Sequence, residues 1–180
     1  MTGIVLVSVL GVDRVGLVSA IAGTLYDAGV NLRDTTFASL GKGAEFTAVC
    51  QLPDDVSADE IRQRLAGLPE LAGTEVTVRP FEYDPRPGPQ GRVTHRVEVR
   101  GGDQLGLIAR LADIVTQFGA NIVRLESQKL HEGEGGDYVA RFALSIPPDR
   151  QASCLAAISN TAGSLRLASR IDEVGTPDAS

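Results

Sequence analysis

The chain has 180 residues, 43% of them hydrophobic and 22% charged, with a formal net charge of −6. That balance is ordinary for a folded water-soluble protein, and the length allows one to two domains. Scattered Lys and Arg, no tryptophan, and only three Tyr and five Phe for base stacking argue against direct nucleic-acid binding, which needs a positive surface to displace counterions. A protein partner that itself binds DNA stays open. The longest apolar stretch, Ile4 to Leu10, is interrupted by Ser8 and is far too short to span a bilayer. No basic region precedes it, as a signal peptide would require. A cytoplasmic protein without membrane contact is expected.

In chain order, Ile4 to Leu10 is short and rich in β-branched residues, which predicts a strand ended by Gly11 and Asp13. Leu17, Val18, Ile21, Ala22, Leu25 and Ala28 then recur at helical spacing on one face. Gly29 stands where a helix C-cap glycine belongs. Leu32 to Leu40 reads as a strand, Gly41-Lys42-Gly43 as a tight turn, and Phe46, Ala48, Cys50 and Leu52 alternate along the next strand up to Pro53. Ser57-Ala58-Asp59-Glu60 has capping-box form ahead of Ile61, Leu65 and Leu68 on one helical face. Glu75 to Phe81 supplies a last strand. Asp84 to Gly91 carries three prolines and reads as a stiff, extended linker.

The same order then returns. Val93, Val97 and Val99 mark a strand, and Leu107, Ile108, Leu111, Ala112, Val115 and Phe118 a helix. Strands at Ile122 to Leu130 and Tyr138 to Ile146 flank a glycine-rich turn, Gly133 to Gly136. Pro147-Pro148-Asp149 opens a weaker helix carrying Cys154 and Ile158, and Leu165, Leu167 and Ile171 end the unit. Each half is therefore β-α-β-β-α-β, the ferredoxin-like arrangement: an α+β fold with a four-stranded antiparallel sheet and both helices on one face. The expected organisation is domain 1 over 1–84, linker 85–91, domain 2 over 92–174 and a flexible tail 175–180.

The halves repeat more than their element order. Asp13-Arg14-Val15-Gly16-Leu17 returns as Asp103-Gln104-Leu105-Gly106-Leu107, and Gly29-Val30-Asn31 as Gly119-Ala120-Asn121. All are ninety positions apart, so the repeat is a register. Each turn places an acid before a helix start and a glycine in its first turn. A helix N-terminus offers unpaired N–H groups and partial positive charge to an anion, and glycine admits a ligand close to the backbone. The plainer account is that Asp is the N-cap and Gly eases packing. Asn31 and Asn121 could equally be left-handed turn residues or amides that read an amino acid's ammonium and carboxylate.

The first strands differ. Arg96, Glu98 and Arg100 alternate with valines, a strand with one wet face. The corresponding positions Ile4, Leu6, Ser8 and Leu10 are mostly apolar, which predicts that a domain or subunit covers Ile4, Leu6 and Leu10.

The motifs at 13–17 and 28–32 resemble those of the ACT domain, a small amino-acid-binding regulatory module, and those at 103–107 and 119–122 resemble a second one. Two such units in tandem resemble the glycine cleavage system transcriptional repressor type. The resemblance implies an effector site where the first turn of one unit's first helix faces the second strand of a neighbouring unit. The implied contacts are Asp13, Arg14, Val15, Gly16 and Leu17 with Asn31, and Asp103, Gln104, Leu105, Gly106 and Leu107 with Asn121. Family members often carry proline where Val15 and Leu105 stand, and the Arg14/Gln104 difference suggests unequal sites. A small amino acid such as glycine or serine is the implied effector, with a protein partner of transcription-factor type and a homo-oligomeric state.

An enzyme reading has little to stand on. His95 and His131 have no sequence neighbours that suggest a triad or metal cluster. Glu132, Glu134 and Asp137 lack calcium-loop spacing, and Gly133-Glu134-Gly135-Gly136 leads into no helix. Cys50 and Cys154 are expected to be buried reduced thiols. No catalytic residue, metal or cofactor is expected. The alternative to a ligand sensor is a ligand-free adaptor acting through the Ile4-Leu6-Leu10 face.

Overall fold

Val5, Val7 and Val9 are buried while the residues between them are not, and this alternation makes the first strand one side of a core. In the computed structural model, which describes residues 3–86, 88–130 and 137–175, the first unit runs β1 (Ile4–Val12), α1 (Leu17–Asp27), β2 (Asn31–Leu40), β3 (Gly43–Gln51), α2 (Ala58–Ala66) and β4 (Glu75–Pro80). The second runs β5 (His95–Gly102), α3 (Leu107–Gln117), β6 (Asn121–Lys129), β7 (Asp137–Ser145), α4 (Gln151–Ser164) and β8 (Ala168–Glu173). The chain divides into compact units between Pro85 and Arg86. Each unit has an antiparallel four-stranded sheet, in the orders β2-β3-β1-β4 and β6-β7-β5-β8. This is the expected α+β, ferredoxin-like fold, twice.

One face of each sheet carries the helices. Leu17, Ile21 and Leu25 of α1 and Ile61 and Leu65 of α2 join Val5, Val7, Val9 and Phe46 in the first core. Leu107, Leu111 and Val115 of α3 and Cys154, Ile158 and Ala162 of α4 join Val97, Val99, Phe142 and Leu144 in the second. Burying such side chains contributes about 1.5–3 kcal/mol each against the entropy of ordering the chain.

The helix ends are written locally. Val30 N–H reaches the Leu25 carbonyl at 2.9 Å and Gly29 N–H the Tyr26 carbonyl at 2.8 Å, a Schellman motif with Gly29 at φ 70°. Ala120 to Val115 and Gly119 to Thr116 repeat it in the second unit. At α2 the Ser57 hydroxyl accepts from Glu60 N–H at 3.1 Å. The capping box is only half formed, because the Glu60 carboxylate pairs with Arg64 one turn on. The proline-rich segment is not extended throughout. Pro89–Gly91 forms a single 3-10 turn, for which proline's fixed φ is already suited.

The second face of each sheet is free of helices. In the first unit it carries Ile4, Leu6 and Leu10, joined by Val12 and Leu40. In the second it carries Arg96, Glu98 and Arg100, with Glu98 accepting from Arg141 Nε at 2.7 Å. These charged side chains confirm the wet face expected there. Among the described residues, no helix is long and apolar enough to cross a membrane.

Candidate functional site

Each unit places its repeated turn at one end of the sheet and its repeated asparagine at the other. Val12 pairs with Gly43, and Asp13 N–H continues that edge to the Lys42 carbonyl at 3.0 Å. Asn31 pairs with Gln51, which faces Ile4 at the start of β1. The 11 residues of α1 lie between the two ends, about 16 Å of helix. The same holds for Asp103 and Asn121 across α3. The sequence-predicted site residues are thus not brought together within one unit.

At the turn, the plainer account of the acids is corrected. Gly16 and Gly106 are themselves the N-caps, left-handed at φ 90° and 79°, and no side chain caps either helix. Asp13 instead accepts from Ser39 Oγ at 2.9 Å, and Asp103 pairs with Lys129 Nζ at 3.3 Å. Both acids tie the turn to the far end of the edge strand, β2 or β6, one strand beyond its neighbour in the sheet. The left-handed cap explains why glycine stands there, since an L side chain at that φ is strained. A Cβ added at either glycine would meet nothing within 4 Å, so the space above each cap is open. The first backbone bond of α1 runs from Ala20 N–H to the Gly16 carbonyl at 2.8 Å, and Leu17 N–H is already bonded to the Arg14 carbonyl at 3.2 Å, which leaves Val18 and Ser19 as the donors a helix start offers without an intrahelical partner.

The other turn residues divide by role. Leu17 and Leu107 are buried, so only their backbone can face a ligand. Val15 and Leu105 are fully exposed. Arg14 donates to the Glu70 and Ala72 carbonyls at 3.2 Å each, and Gln104 Nε2 to the Leu165 carbonyl at 2.6 Å. Although they differ in type, both brace the turn against the connection that leads into the unit's last strand. Sequence reasoning missed this, as it missed Gly11 and Gly101. A Cβ there would lie 2.3 Å from Thr74 Cγ2 or 2.4 Å from Leu167 Cδ2. The signal available was their ninety-residue spacing.

At the opposite end, the left-handed reading of the asparagines is also corrected. Gly29 and Gly119 take the positive φ, and Asn31 and Asn121 are the first residues of β2 and β6. Each is followed at once by a β-bulge, between Leu32 and Thr35 and between Ile122 and Arg124. Asn121 Nδ2 donates to the Gln90 carbonyl at 3.0 Å. A cavity of about 470 Å³ adjoins it, lined in part by Arg92, Gln151 and Glu173.

Other candidate chemistry is sparse. No group of three or more His, Cys, Asp or Glu positioned for a metal occurs among the described residues. His95 is buried in β5 with Nδ1 3.0 Å from Thr94 Oγ1. Burial raises the pKa of both free thiols, that of Cys50 to about 11. Asp137 pairs with Arg100 at 3.1 Å. His131, Glu132 and Gly133 to Gly136 lie outside the described residues.

Residues 3–79 match the family of the ACT domain. The first unit is an ACT domain. The second unit repeats its fold and its turn motif, so the chain has a tandem ACT-like architecture. No curated protein sequence matches the chain. A solved structure of an unknown protein from Galdieria sulphuraria is similar over 97% of this chain and 100% of its own, at 23% identity and a TM-score of 0.73. A candidate glycine cleavage system transcriptional repressor is similar over 98% of this chain and 99% of its own, at 15% identity and a TM-score of 0.60. At those identities the likeness is one of fold, and it spans both ACT-like units.

Proposed function

We propose that the chain is a non-catalytic, amino-acid-binding regulatory protein: a cytoplasmic metabolite sensor that acts on transcription through a partner protein. The observation that carries this reading is the glycine-capped turn that occurs twice, each with open space over a helix N-terminus and an exposed apolar residue beside it. A ligand carboxylate suits those helix donors. Val15 and Leu105 supply apolar contact, and the backbone of Asp13 to Leu17 and of Asp103 to Leu107 supplies the cradle.

Because Asn31 and Asn121 sit at the far ends of their own sheets, a complete site pairs the turn of one ACT-like unit with the asparagine of a unit in a second copy of the chain. The strands they open, β2 and β6, are sheet edges, and edges are where another unit can approach. A homo-oligomer follows from this reading. A ligand at such a junction favours one packing of the units over another, to the extent that it binds them unequally. Glycine or serine is the effector proposed. With five heavy atoms, glycine is limited to about −7.5 kcal/mol, or low micromolar affinity, which suits a sensor of metabolite concentration. A transcription factor is the partner proposed, on the name carried by the structurally similar candidate repressor. Direct DNA contact is not proposed, given the net charge of −6.

Calorimetry of the full chain against the twenty amino acids tests the reading. Saturable heat that disappears in the Gly16→Val, Gly106→Val double variant is expected, with the variant's fold checked by circular dichroism. Absence of heat at about millimolar ligand would overturn it.

A second reading has its own observation. Leu10, Val12 and Leu40 on the outer face of the first sheet are 49%, 55% and 56% exposed, and such a patch suits a protein partner. On this adaptor reading Ile4, Leu6 and Leu10 form the interface. Leu6→Glu then abolishes partner capture while the unit stays folded, and retained capture sinks it.

A further inference from the structure

The cavity at the Asn121 end of the second unit has a chemistry distinct from that of the turns. Its floor is apolar and internally satisfied. Ile146 is buried and Val93 and Val174 are half-buried. Thr94 N–H bonds the Leu144 carbonyl at 2.7 Å, Ile146 N–H bonds Thr94 Oγ1 at 3.0 Å, and Val174 N–H bonds the Thr94 carbonyl at 2.8 Å. Those backbone groups are spent, so the cavity's binding capacity rests on its polar side chains.

Two of these carry opposite charges. Arg92 and Glu173 both line the cavity, and neither side chain has a hydrogen-bond or ion-pair partner among the described residues. They flank one space without pairing with each other across it. Gln151 lines the same space with its amide uncommitted. Asn121 has given an amide hydrogen to Gln90, which leaves its amide oxygen as an acceptor. A guanidinium, a carboxylate and an amide oxygen around an apolar floor are complementary to a molecule that bears both charges on a short apolar body.

We infer that this cavity binds a small zwitterion. The ligand's carboxylate meets Arg92, its ammonium meets Glu173 and the Asn121 oxygen, and its apolar part rests on Ile146, Val93 and Val174. The volume of about 470 Å³ exceeds what glycine fills and falls within the range of small-molecule sites, about 300–1,000 Å³. An amino acid with an aliphatic side chain is the class. This site lies within one unit and contains none of Asp103 to Leu107, so it goes beyond the turn-borne sites and shares only Asn121 with them. Gln90, whose carbonyl accepts from Asn121 Nδ2, lines the same space.

Titration of the nitrogen-15-labelled full chain with L-leucine, followed by amide chemical shifts, tests the inference. Two half-ligands accompany it: 4-methylpentanoate, which lacks the ammonium, and 3-methylbutylamine, which lacks the carboxylate. Leucine is expected to move the amides of Thr94, Ile146, Gln151 and Val174, and each half-ligand to bind about tenfold or more weakly. Arg92→Leu and Glu173→Gln should each weaken leucine binding by about tenfold or more, with the remaining amide shifts unchanged as evidence of intact folding. Unmoved cavity amides at about 10 mM leucine, equal binding of a half-ligand, or unaltered affinity in both variants overturns it. Shifts confined to the amides around Gly16 and Gly106 would support the turn-borne sites and overturn this one, so the two readings fail separately.

Discussion

Asn121 donates its side-chain amide to the Gln90 carbonyl at 3.0 Å, whereas Asn31, ninety positions earlier, is exposed and has no side-chain hydrogen bond among the described residues. The same residue at the same place in the fold is tethered in one unit and free in the other. Asn121→Ala should therefore destabilise the second unit by about 0.5–1 kcal/mol, the net worth of an exposed hydrogen bond. Asn31→Ala should stay within about 0.5 kcal/mol of the parent protein. Native-state hydrogen exchange reads each unit separately; equal losses in the two variants would contradict the asymmetry.

The glycine caps give a second test. Gly16 and Gly106 hold positive φ with open space around them, so an alanine there meets conformational strain without a clash. Gly16→Ala and Gly106→Ala should each cost about 1–2 kcal/mol. Asn, which tolerates the left-handed region, should cost less than Ala. Chemical denaturation with per-unit probes measures this. If alanine were neutral at both positions, left-handed strain would not be what selects glycine.

Cys50 supplies a pH prediction. Burial raises its thiol from 9.0 to about 11 in the folded chain, so between those values the native state holds a proton that the unfolded state has released. Its contribution to stability is fully present below pH 9 and is lost as pH rises through about 11. Cys50→Ser or Cys50→Ala should flatten the fall in stability over that window, measured by urea unfolding at stepped pH. The same protonation predicts slow alkylation by iodoacetamide at pH 8 in the native protein and rapid alkylation in urea, because the thiolate is the nucleophile.

Most of the fold is legible in the chain because its causes are local. Alternating valines set β1 and β5, the helical repeat from Leu17 to Leu25 sets α1, and Gly29 and Ser57 mark helix ends through bonds that span a few residues. The site was only partly legible. Asp13 followed by Gly16 is as good a signature for an aspartate cap as for a glycine cap, and only the backbone dihedral distinguishes them. Leu17 falls in the binding motif by sequence and in the core by structure. The role of Arg14 could not be read, because its acceptors at Glu70 and Ala72 lie across the whole unit in sequence.

That bracing role makes Arg14 and Gln104 the sharpest discriminators at the turns. If they contact ligand, as their place in the motif implies, Arg14→Ala and Gln104→Ala lower ligand affinity and leave stability nearly unchanged. Their observed bonds lead to the opposite expectation. Arg14→Ala frees the carbonyls of Glu70 and Ala72, and Gln104→Ala frees that of Leu165. These acceptors are near the surface, where water replaces part of what is lost, so each change should cost about 0.5–1.5 kcal/mol. Hydrogen exchange should rise at the connections into β4 and β8. Arg14→Gln should recover part of the loss, since glutamine performs the equivalent task at position 104. An unfolding midpoint unchanged by Arg14→Ala, together with lost amino-acid binding, would move Arg14 from bracing the turn to holding the ligand.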